Sequence, residues 1–99
     1  MSLEALLEAL KNRDVYRLAN LLYNEDVDKL RKYDVYPNDI VRDAVERLVK
    51  LLGLDDADVF TSCPTYVDED CKVAIVRNGK VYTSYLSELD VEKLRQVLA

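Results

Sequence analysis

Residues 71–86, CKVAIVRNGKVYTSYL, hold the reading that decides the fold. Asn78-Gly79 is the strongest short-range signal for a two-residue type I′ hairpin, because both central positions need a positive φ that Asn and Gly tolerate. Such a turn leaves no freedom in the register: Arg77 faces Lys80, Val76 faces Val81, Ile75 faces Tyr82 and Ala74 faces Thr83. Val73, Ile75 and Tyr82 then fall on one face of the hairpin, and Ala74, Val76 and Val81 on the other. A half-exposed hairpin alternates apolar and polar residues cleanly. This one is apolar on both faces, which predicts cover on both sides, by helices on one and by something else on the other.

Upstream, residues 58–63 (DVFTSC) are rich in strand formers and end at Pro64. Paired antiparallel with 71–77, they complete a three-stranded meander with 80–86 as its third strand. Cys63 and Cys71 then flank the loop 64–70 and lie directly opposite. A non-hydrogen-bonded antiparallel pair brings Cα atoms to about 4.5 Å, at the short edge of the disulfide range. Cys63 and Cys71 are therefore a candidate disulfide, the alternative being two half-buried thiols. A disulfide does not persist in a mesophile's cytosol, though intracellular proteins of hyperthermophiles are an exception. The spacing is not Cys-x-x-Cys and no neighbouring cation lowers a thiol pKa, which disfavours redox catalysis.

The first half of the chain reads as helices. Ser2 caps a first helix with Leu3, Leu6, Leu7 and Leu10 on one stripe; Asp14 caps a second with Val15, Leu18, Ala19 and Leu22 inside, stopping near Asn24. Asp26 starts a short third helix running to about Tyr33. Pro37 and Asp39 suit the first turn of a fourth, over 37–52, whose core stripe is Val41, Ala44, Val45, Leu48 and Leu52. Asp43 to Arg47 and Glu46 to Lys50 are acid-first i, i+4 pairs on its outer side. Gly53 occupies the left-handed C′ position and Leu54 follows as its apolar companion. After the meander, Asp90 caps a final helix, with Leu89 and Leu94 forming a hydrophobic staple. The near-recurrence of Asp26-Val-Asp-Lys-Leu-Arg31 as Asp90-Val-Glu-Lys-Leu-Arg95 is read as two helix starts sharing one capping solution. The expected architecture is one α+β domain over 1–99: a helical half packed on a three-stranded antiparallel meander and closed by a C-terminal helix.

Composition bounds the chemistry. The 99 residues carry 14 Lys plus Arg against 19 Asp plus Glu, a net charge of −5, and no His. Without His, Ser-His-Asp and Cys-His catalysis and His-containing zinc sites fall away. With two Cys, zinc lacks half of its ligands. Two glycines cannot build a phosphate-cradling loop. No enzyme activity and no cofactor is expected. No apolar run is long enough to span a bilayer and no secretory signal opens the chain, so a cytoplasmic protein is expected. Its high charge and few amides resemble the composition of proteins from hot environments. Asp55, Asp56, Asp58, Asp68, Glu69 and Asp70 match no EF-hand pattern, and solvated loop charge is the expected reading over a cation site.

Two partners remain. Seven of the eight aromatic residues are Tyr, a residue enriched at interfaces. With an apolar sheet face to spare, this favours a protein-interaction or regulatory module that forms a homodimer. Val73, Ile75, Tyr82 and Tyr85 are its candidate self-association residues. The alternative is a nucleic-acid-binding accessory factor. Helices followed by a hairpin loosely resemble the order of elements in a winged helix, which implies base or phosphate contacts from Arg42, Arg47 and Lys50. Asp43 and Glu46 interrupt that basic row, and the acidic total opposes it. The acidity is uneven: residues 1–54 carry 9 basic and 10 acidic groups, 55–99 carry 5 and 9.

Overall fold

The computed structural model describes residues 1–32, 36–65 and 69–99. In chain order these form α1 (Leu3–Lys11), α2 (Val15–Tyr23), α3 (Val27–Leu30), α4 (Pro37–Leu51), β1 (Asp58–Ser62), β2 (Lys72–Arg77), β3 (Lys80–Tyr85) and α5 (Val91–Leu98). The fold is α+β, as the sequence predicts. Its antiparallel sheet has the order β1-β2-β3.

Four of the five α-helix starts are held by the expected side chain, and α4 opens on Pro37 without one. Ser2 accepts from the Ala5 N–H, Asp14 from Arg17, Asp26 from Asp28 and Lys29, and Asp90 from Lys93. The predicted extension of α3 towards Tyr33 ends instead at Leu30, and Tyr33 itself lies outside the described residues. At the end of α4, Gly53 has φ +79, its N–H bonds the Lys50 carbonyl and the Leu54 N–H bonds Val49, which is the Schellman arrangement. The same motif ends α1 without glycine. Arg13 takes φ +53 at C′, and the Asp14 N–H bonds the Ala9 carbonyl while its side chain caps α2. One residue thus closes one helix and opens the next, setting the sharp turn between them.

Asn78 and Gly79 have φ +52 and +76, and β2–β3 pairs in the predicted register. The third strand stops one residue early, at Tyr85. The Leu86 N–H bonds the Cys71 carbonyl, and Leu86–Glu88 then form a 3-10 turn whose Ser87 N–H is taken by Asp70.

Val59, Val73, Ile75 and Tyr82 project from the inner face of the sheet into one continuous cluster with Leu6, Leu10, Leu18, Val41, Val45, Leu48 and Leu94. The meander therefore packs one face against α4 and α5, while α1 lies against α4 and the 3-10 turn. At the turn end, Arg77 donates to the Leu98 carbonyl at 2.7 Å and Lys80 to that of Ala99 at 2.8 Å. Two sheet cations thus sit on the negative end of the α5 dipole.

Candidate functional site

The hairpin turn decides which surface is left over. With Arg77 and Lys80 flanking a two-residue turn, their pair is hydrogen-bonded and alternate pairs follow. β1 pairs with β2 so that Val59 faces Ile75, Phe60 faces Ala74 and Thr61 faces Val73. Side chains at 59, 61, 73, 75, 82 and 84 point inward. Asp58, Phe60, Ser62, Lys72, Ala74, Val76, Val81, Thr83 and Tyr85 point outward.

Of the candidate self-association residues, the structure places Val73, Ile75 and Tyr82 in the core, at 2%, 0% and 6% exposure. This corrects the expectation. The helices take that face because its three larger side chains continue the inward stripe, and the Tyr82 hydroxyl is spent accepting the Asp90 N–H at 3.0 Å. Tyr85 alone lies on the opposite face. There it is joined by Phe60 and Val81, with exposures of 45%, 59% and 53% for the three. The expected second cover is not supplied by any described residue. The signal for Phe60 lies in the cysteine pair: Cys63 opposite Cys71 puts Phe60 opposite Ala74, and so outward.

Between Phe60 and Tyr85 the small side chain of Ala74 leaves a dent of about 630 Å³, with Ser62, Lys72, Thr83 and Glu88 at its margins. The Lys72 ammonium lies 5.7 Å from the centre of the Tyr85 ring, within cation–π range. The surface has an aromatic wall on each side, a shallow floor and one cation. It leaves the apolar area of Phe60 and Tyr85 exposed.

Cys63 and Cys71 are joined in a disulfide, with Cα atoms 4.3 Å apart, as the non-hydrogen-bonded geometry of their pair requires. Asn38 locks the adjoining end of β1: its side-chain oxygen accepts from the Cys63 N–H at 3.2 Å and from the Thr61 hydroxyl at 3.1 Å. On the other side of the bridge, Asp70 accepts from the N–H of Cys71, from the N–H of Ser87 and from the Ser87 hydroxyl. Desolvation pushes the Asp70 carboxyl up, but the Ser87 bonds, the Arg13 guanidinium 4.0 Å away and the Cys71 N–H outweigh it and hold the pKa below the usual carboxylate range.

Of the basic row on α4, Arg42 is engaged locally. Arg42 lies 3.5 Å from Asp39 and 4.0 Å from Asp43. Among the described residues, Asp43 to Arg47 and Glu46 to Lys50 do not form the expected ion pairs, and Arg47 and Lys50 are exposed. Asp43 is drawn off by the Tyr23 hydroxyl, which donates to it. Partial burial together with that bond to a carboxylate pushes the Tyr23 phenol up to about 12.

The described acidic residues do not converge. Asp56 pairs with Arg77 at 2.7 Å and Asp70 with Ser87. Among the described residues no three acidic or sulfur side chains gather as metal ligands, and Asp68 lies outside those residues. Among them, too, no helix is long and apolar enough to cross a membrane. Compared with protein families, curated proteins and solved structures, the chain matches none.

Proposed function

We propose that the protein is a non-catalytic interaction module that associates with itself through the outer face of its sheet. The observation that carries this reading is the exposure of Phe60, Val81 and Tyr85 on one small surface floored by Ala74 and Val76. Isolated exposed apolar residues are ordinary, but a contiguous patch of them on a monomer marks an interaction site. The aromatic content suits such a surface, since Tyr and Phe are enriched at interfaces and stay stiff when buried. A nucleic-acid partner has less support: Arg42 sits among carboxylates, and the sheet end of the chain is acidic.

Sedimentation velocity over a concentration series up to about 1 mM, the range in which weak complexes are populated, tests the proposal. The sedimentation coefficient is expected to rise with concentration. Val81→Glu, which places a charge on the exposed face without touching the core, is expected to abolish that rise while leaving the circular dichroism spectrum unchanged. A wild-type chain that stays monomeric throughout would overturn it.

A further inference from the structure

The outer face has three positions on each of three strands, and they form a grid. One row is Asp58, Val76 and Val81, the middle row Phe60, Ala74 and Thr83, and the last row Ser62, Lys72 and Tyr85. In a chain of net charge −5, this grid carries one acid and one base, at opposite ends and on neighbouring strands. That placement restricts how two copies can meet.

Two sheets packed face to face about a twofold have two simple choices of axis in the interface. An axis along the strands sets Lys72 directly against the partner's Lys72, and like charges opposed across an interface are costly. An axis across the strands reverses the rows and keeps the columns. Val81 then lies on the partner's Tyr85, Phe60 meets the partner's Phe60 at the axis, and Lys72 lies on the partner's Val76 with the partner's Asp58 on the adjoining strand. The lateral offset from Lys72 to that carboxylate is one strand spacing, about 4.8 Å, well within the reach of a lysine side chain. Glu88, at the rim beside Tyr85, would approach the partner's turn, where residues 77–80 contain no acid.

Resting on the self-association reading above, we infer that the second copy docks about the axis across the strands, with two symmetry-related Lys72–Asp58 pairs fixing the arrangement. The size of the surface sets the strength. Three strands of five or six residues offer a footprint of about 15 by 17 Å. This is well short of the ~800 Å² per partner of a standard stable interface. The dimer is accordingly weak and concentration-dependent, and its register depends on the two charges.

The test is a charge exchange read by sedimentation equilibrium. Asp58→Lys and Lys72→Asp each oppose like charges twice per dimer and are expected to weaken self-association about tenfold. The double variant Asp58→Lys/Lys72→Asp, and an equimolar mixture of the two single variants, each re-form both pairs and are expected to regain wild-type affinity. Thermal denaturation of each variant confirms that it is folded. If Val81→Glu abolishes association but the double variant and the mixture stay as weak as the singles, the sheets meet in another arrangement and the inference fails alone. Unaltered affinity in both single variants, as for edge-to-edge pairing of β3, overturns it in the same way. If the wild-type chain does not associate, the functional reading fails and this inference with it.

Discussion

Asp70 carries more of the structure than its place in an acidic loop suggests. Its carboxylate holds the backbone at Cys71 and the start of the 3-10 turn at Ser87, beside Arg13 from the α1–α2 turn. Asp70→Ala removes these bonds and strands two backbone donors, which is expected to cost about 1–2 kcal/mol in urea denaturation at pH 7. Because the folded pKa of Asp70 lies below its ordinary value, its stabilisation is present above the unfolded pKa and is lost as pH falls through the folded one. Asp70→Asn is therefore expected to show a smaller loss of stability between neutral pH and pH 3, measured by the same denaturation. None of this was legible in the sequence. The residues that meet at Asp70 are 17 positions apart or more, apart from Cys71, and a local reading of the stretch as solvated charge fits the exposed Glu69 but not Asp70. Arg13 was hidden for a different reason: a left-handed C′ position signals itself through Gly or Asn, and here neither is present.

Elements were far more legible, because caps and turns are local. Asp14, Asp26 and Asp90 cap as expected, Gly53 ends α4, and Asn78-Gly79 fixes the β2–β3 register. The same turn parity makes Cys63 and Cys71 a non-hydrogen-bonded pair, so their close approach follows from the hairpin once β1 is in register, while the choice between a bridge and two thiols does not. The bridge closes a short loop at sequence separation 8, for which chain-entropy arguments give about 2.5 kcal/mol of stabilisation. Dithiothreitol is expected to lower stability by that order without unfolding the chain, and Cys63→Ser/Cys71→Ser to match the reduced form; an unchanged denaturation midpoint on reduction would contradict this. What the element scale did not reveal was which apolar face the helices choose. Both faces of the hairpin qualify on pattern, and the choice is made by volume and partners. Ile75 and Tyr82 fill the space under α4 and α5, and Arg77 and Lys80 on the same face reach the end of α5, whereas the outer face offers only Ala74 at its centre.

At the scale of the whole molecule, one layer of helices covers one side of a narrow sheet, and among the described residues nothing covers the other side. The net charge of −5 opposes the approach of two copies over a Debye length of ~30 Å at 0.01 M salt and only ~8 Å at 0.15 M. Self-association is therefore expected to tighten as salt rises across that range, since the Lys72–Asp58 pairs lie at contact distance and are screened less. Binding to nucleic acid would weaken over the same range, so the sign of the salt dependence separates the two readings. The central claim, that the open sheet face is where this protein meets its partner and that the partner is a second copy, is tested most directly by amide NMR spectra recorded across a dilution series. The account expects concentration-dependent shifts concentrated at Phe60, Ala74, Val76, Val81, Thr83 and Tyr85, with α1 and α2 unmoved. Spectra independent of concentration, or shifts centred on α4 instead, would contradict it.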